Sequence, residues 1–158
     1  MPVRVGPMRK THFLLVALVV LCPASSWAEK KVIAPPEFSQ PGSPSLPFSP
    51  GILIDGTLYI SGQVGRDLKT GTISDDFEAE TKKCLENSGI ILKAAGMSYD
   101  DVVAVQVYLT DVSLFQRMNA VYSSVFKDPR PSRTTVGVTK LAAAGARIEI
   151  TMTARKSR

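Results

Sequence analysis

Histidine occurs once in this 158-residue chain, at His12, and cysteine twice, at Cys22 and Cys84. His12 and Cys22 both fall in the first 28 residues, a stretch that reads as removable. The remainder has no histidine and a single cysteine, Cys84. That excludes Ser-His-Asp and Cys-His catalysis, His-ligated metals, an internal disulfide and a Cys-x-x-Cys redox pair. Any chemistry must come from Arg, Lys, Asp, Glu, Tyr, Ser, Thr, Asn or the backbone. A strong charge excess is also missing. The chain has 19 Lys+Arg against 14 Asp+Glu, but Arg4, Arg9 and Lys10 lie in the first 28 residues, where there is no acid. The rest carries 16 basic and 14 acidic residues, a net of +2. No basic cluster stands out, so no nucleic-acid partner is expected. A 44% hydrophobic and 21% charged composition at this length fits one ordinary globular domain.

The first 28 residues read as a signal peptide. Arg4, Arg9 and Lys10 give a positive start, and the ten residues Phe13 to Cys22 are apolar throughout. Ser26-Trp27-Ala28 places small residues at the −3 and −1 positions, so cleavage is expected after Ala28. Ten helical residues rise only about 15 Å, half of a bilayer core, so a membrane anchor is not expected. The chain should be periplasmic or secreted, with no membrane attachment after cleavage. Residues 29–45 read as a Pro-rich arm, since six of the eleven prolines fall between Pro35 and Pro50 and proline has no N–H to give. Residues 46–158 form the globular domain.

Within that domain, Ile52–Ile54 and Leu58–Ile60 flank Asp55-Gly56, a hairpin signal. Ser74-Asp75-Asp76 reads as a helix start with Ser74 as the capping hydroxyl. Phe77, Thr81, Cys84, Leu85, Ser88, Ile91, Leu92 and Ala95 then recur at helical spacing, up to Gly96. Asp101 to Thr110 is a β-branched strand with Val103, Val105, Val107 and Leu109 on one face. Asp111 caps a second helix with an apolar stripe of Phe115, Met118, Tyr122, Val125 and Phe126. Two strands follow, Arg133–Val138 and Arg147–Met152. They are expected to form a hairpin turning near Ala143, with Val136, Val138, Ile148, Ile150 and Met152 inward. Strand pair, helix, strand, helix, strand pair predicts an α+β single domain, a mixed β-sheet covered on one face by two helices. The other face would carry Ala104, Gln106, Tyr108, Arg133, Thr135, Gly137, Glu149 and Thr151. Small and polar but weakly charged, it suggests an interface lining a cleft.

Arg133 is the sharpest candidate. Its planar fork can hold a carboxylate through two parallel hydrogen bonds. Glu149, on the same expected face, could act as an acid or base if partly buried. From the residues alone, a structural salt bridge between the two strands is the favoured reading of this pair.

Several runs, in order, resemble one family: LYISGQVG (58–65), AAG (94–96), VYLTD (107–111), Asn119-x-x-Tyr122, Pro131-x-Arg133 and IEI (148–150). Together they resemble the RidA (YjgF-type) enamine/imine deaminases over about residues 45–155. The resemblance implies a RidA / chorismate-mutase-like fold that assembles as a homotrimer with ligand clefts between subunits. It implies hydrolysis of 2-aminoacrylate-type enamines and imines to 2-keto acids and ammonia, with no cofactor and no metal. It assigns substrate carboxylate binding to Arg133 and handling of the water to Glu149, with Ser61, Phe48, Asn119 and Thr135 lining the cleft. Phe48 stands where the family usually has Tyr, and Thr135 where many bacterial members have Cys. The alternative is a non-catalytic ligand-binding or protein-protecting trimer of the same fold. A nuclease role is disfavoured by the near-neutral charge.

Overall fold

The computed structural model describes Pro2 and residues 29–39 and 46–156. The expected export segment otherwise lies outside the described residues. Among the described residues no helix is long and apolar enough to cross a membrane.

Asp55 and Gly56 take φ of 48° and 71°. This pair of positive values matches the right-handed twist of a two-residue hairpin, so β2 (Gly51–Ile54) folds directly onto β3 (Thr57–Val64). Helix α1 (Phe77–Ala94) begins at Asp76, whose side chain accepts from the Ala79 N–H at 2.6 Å. Ser74 is therefore not the cap; its hydroxyl accepts from the Asp76 N–H instead. A carboxylate is the better acceptor at the positive end of the helix. The expected stripe from Phe77 to Leu92 is buried, and so are Glu80 and Asn87. Asn87 holds the chain after β3 in place by donating to the Val64 and Arg66 carbonyls.

Strand β4 (Val102–Leu109) buries Val105, Val107 and Leu109, but Val103 is 48% exposed. The cause is a register shift between Val102 and Ala104, which turns Val103 out of the expected face. Asp111 caps a single 3₁₀ turn, Val112–Leu114, by accepting from the Ser113 N–H. That turn leads into α2 (Phe115–Val125), which buries Met118 and Tyr122.

The last two strands depart from the expected hairpin. β5 (Ser132–Gly137) pairs in parallel with β4, while β6 (Ile148–Arg155) inserts between β3 and β4, antiparallel to both. Three residues of the stretch read as an arm form β1 (Lys31–Ile33), antiparallel to β2. The six-stranded order is β1-β2-β3-β6-β4-β5. A strand, helix and parallel strand form the ordinary crossover, so β4-α2-β5 carries α2 over the β5 edge. Inserting β6 supplies ladder partners on both its sides, which a terminal hairpin would not.

The fold is thus the expected α+β layer with both helices on one face. One ion pair crosses that layer. Glu80, fully buried on α1, accepts from the Arg147 backbone N–H and Nε, both at 2.7 Å. Arg147 spends its other nitrogens on the Asp75 and Ser74 carbonyls, tying the α1 entry to the start of β6. Among the described residues no helix covers the opposite face of the sheet, which leaves Tyr59 and Val136 exposed at 53% and 42%.

Candidate active site

The pairing of β5 fixes where Arg133 points. Arg133 lies beside Val105 and Thr135 beside Val107. Neighbours across a ladder share a face, and both valines are buried beneath the helices. Arg133, Thr135 and Gly137 therefore lie on the helix side, not on the open face where alternation around Val136 and Val138 had put them. The Arg133 guanidinium sits 4.5 Å from the Tyr122 ring centre and 5.7 Å from that of Phe115. Among the described residues its one hydrogen-bonding contact is the Met118 sulfur, at 3.9 Å. Among the described residues the arginines that reach carboxylates are Arg117, Arg130 and Arg147, not Arg133. Arg133 instead faces a cavity of about 450 Å³ lined with Asn119, Tyr122, Ser123, Arg130 and Pro131. The hydroxyls of Tyr122 and Thr135 are buried and unpartnered here. Burial pushes the Tyr122 phenol above its ordinary value, with Arg133 and Arg130 pulling the other way.

Glu149 belongs to a different neighbourhood. It pairs with Val64 on β3 and Tyr108 on β4, and stands on the open face. Directly beside it the β3 ladder slips: Ile60 pairs with Met152 and Gln63 with Ile150, so Ser61-Gly62 bulges opposite Thr151. The bulge is where the Glu149 carboxyl rests. A Cβ on Gly62 would stand 1.9 Å from its Oε1 and 2.9 Å from its Cδ. Ser61 donates its hydroxyl to the Ser49 carbonyl at 2.7 Å, which holds the segment carrying the exposed Phe48 against the bulge. Partial burial raises the Glu149 pKa, and no described side chain hydrogen-bonds or pairs with its carboxylate.

The six candidate residues thus fall into two groups. Arg133, Thr135 and Asn119 gather on the helix side of β5. Glu149, Ser61 and Phe48 gather at the β3 bulge on the open face. Strand spacing puts the backbones of Arg133 and Glu149 about 14 Å apart, with the sheet between their side chains. One chain alone cannot bring both onto a small substrate. Among the described residues no cluster of three or more His, Cys, Asp or Glu could hold a metal ion.

A family model described as Endoribonuclease L-PSP matches residues 39–156. A RutC family protein of Saccharolobus solfataricus is 43% identical over 112 residues, covering 70% of this chain and 88% of its own. A human protein named 2-iminobutanoate/2-iminopropanoate deaminase is 42% identical over 105 residues, covering 66% of this chain and 76% of its own. The crystal structure of E. coli TdcF with bound serine superposes with a TM-score of 0.69 at 30% identity, covering 80% of this chain and 99% of that one. The chain belongs to the RidA family. Its mixed sheet with two helices is the fold of that family's solved members.

Within this RidA-family chain, three contributors escaped the sequence pattern. Gly62 stands there only as one letter of the LYISGQVG run, yet its missing side chain is what admits the Glu149 carboxyl. Arg130 shares the Arg133 cavity, although in the sequence only its neighbours Pro131 and Arg133 stand out, as a motif. The Glu80–Arg147 pair joins residues 67 apart, a separation no local periodicity reports. Cys84 takes no part: its thiol is buried, donates to the Gln63 carbonyl, and burial holds its pKa far above the ordinary thiol range.

Proposed function

We propose that this protein hydrolyses 2-aminoacrylate-type enamines and imines to 2-keto acids and ammonia, as a homotrimer whose sites lie between chains. The observation that carries the reading is Arg133: a guanidinium held over two aromatic rings, without a carboxylate partner, at the mouth of a cavity. Stacking fixes its plane while leaving its edge donors free for a substrate carboxylate. The matching half is Glu149, a partly buried carboxyl without a partner, on the open face that carries Tyr59 and Val136. A weakly charged sheet face with Tyr59 and Val136 exposed is suited to covering by a second copy, and the two half-sites then complete each other. The human relative's name and the serine bound by TdcF support a small amino-acid-derived substrate.

The chemistry follows from these groups. Protonation of the enamine carbon from solvent gives the imine in its protonated, iminium form, with its carboxylate on Arg133. Water adds to the imine carbon as Glu149 takes its proton. That proton passes to nitrogen, and the carbinolamine collapses. Its hydroxyl proton is released to solvent, replacing the one taken up at the enamine carbon, C=O forms, and the C–N bond breaks with its electron pair on nitrogen, so that ammonia leaves a 2-keto acid. Arg133 orients and anchors, and Glu149 carries one proton from oxygen to nitrogen. We further propose that the chain works in an exported compartment after cleavage at Ala28, on imines arising there.

The test is release of keto acid and ammonia from freshly generated 2-aminoacrylate, for wild type, Arg133→Ala and Glu149→Gln. Turnover above background that both substitutions abolish is the expected result. Saturable 2-keto-acid binding without turnover would favour the ligand-binding alternative and overturn the deaminase reading.

A further inference from the structure

We propose that Arg130 makes the Arg133 cavity selective for imines with a second acidic group, the imines of dicarboxylic 2-keto acids. The inference deepens the deaminase reading and rests on it. A monocarboxylate imine uses one guanidinium, and Arg133 supplies it. The cavity lining nevertheless holds two guanidinium groups, Arg133 and Arg130, with Asn119 and Ser123 as neutral polar neighbours and no Asp or Glu. Arg130 is only lightly engaged. Its Nε lies 3.4 Å from the Phe126 carbonyl and 3.8 Å from Asp128 Oδ1, and the Asp128 side chain is 85% exposed. A long, solvated ion pair of that kind holds its arginine weakly, so the charge remains available to a ligand. Pro131 fixes φ between the two arginines and limits how far their spacing can drift. A singly charged substrate would leave Arg130 with only its long, solvated contact to Asp128, whereas a dicarboxylate engages both arginines, each through charge-assisted hydrogen bonds.

The experiment compares 2-iminoglutarate with 2-iminopropanoate, each generated in situ by an amino-acid oxidase. Wild type is measured beside Arg130→Gln and Arg130→Lys, and the readout is the ratio of the two kcat/KM values. The expected wild-type ratio favours the dicarboxylate by about tenfold or more, falls towards one in Arg130→Gln, and is partly kept in Arg130→Lys. A wild-type ratio near one, or a ratio that Arg130→Gln leaves unmoved, would overturn the proposal. If neither imine is turned over, the deaminase reading fails by itself. Calorimetry with 2-oxoglutarate and pyruvate then decides: tighter binding of the dianion, lost in Arg130→Gln, supports the role of Arg130, and equal affinities overturn it.

Discussion

Gly62→Ala separates the geometry of the site from the stability of the fold. The φ of Gly62 lies outside the left-handed region, so alanine brings no backbone strain. What it brings is a methyl group 1.9 Å from Glu149 Oε1 and 3.2 Å from its Cγ. To regain ordinary contact the carboxyl must retreat by roughly 1–1.5 Å, which a flexible side-chain end can do by rotating. The fold should lose under about 1 kcal/mol, the range of a surface substitution. A group displaced by about 1 Å from a reacting centre costs about 100-fold in rate. The expected result is therefore a variant with near-native thermal unfolding and kcat/KM lowered about 100-fold, measured as ammonia release from 2-aminoacrylate. Combining it with Glu149→Asp, one methylene shorter, should recover part of that loss. Activity within about twofold of wild type would refute the claim that this bulge positions the carboxyl.

Other perturbations have expected outcomes of their own. Arg147→Met leaves the fully buried Glu80 its backbone N–H donor but removes its charge partner, and should cost about 3–5 kcal/mol in denaturant unfolding, while Glu80→Gln, which leaves a third-exposed arginine hydrated, should cost much less. Because burial raises the Glu149 pKa and the base must be ionised, kcat/KM should rise with pH through an inflection above the ordinary carboxylate value of about 4.3, and Glu149→Gln should remove that limb. The same raised pKa means the folded state binds this proton more tightly than the unfolded chain. Glu149 thus opposes folding as pH rises through it, and Glu149→Gln should unfold at pH ~7 no more easily than wild type.

Features fixed by local chemistry were legible in the sequence. The Asp55-Gly56 turn, the buried stripe from Phe77 to Leu92 and the alternation of Ile148, Ile150 and Met152 depend on neighbours a few residues away. The partner of β5 did not. Val136 and Val138 look like core residues by alternation, but β5 is an edge strand, and its parallel pairing with β4 sends Val136 outward and Arg133 under α2. Strand parity has only two outcomes, so one wrong partner inverts a whole face. Val103 was lost for a related reason, a slip in the ladder that alternation alone does not announce. Residue type and alternation point to Arg133 and Glu149, and motif resemblance adds Ser61, Phe48, Asn119 and Thr135; their division between two faces emerges only from the topology.

Each site of the proposed trimer takes Arg133 from one chain and Glu149 from another. Mixing denatured Arg133→Ala and Glu149→Gln chains in equal amounts and refolding them tests it most directly. In a cyclic trimer assembled at random, about one quarter of the sites receive both intact groups, so two inactive proteins should yield about a quarter of wild-type activity. Activity that stays at the level of the separate variants, in mixed assemblies shown to form, would contradict it.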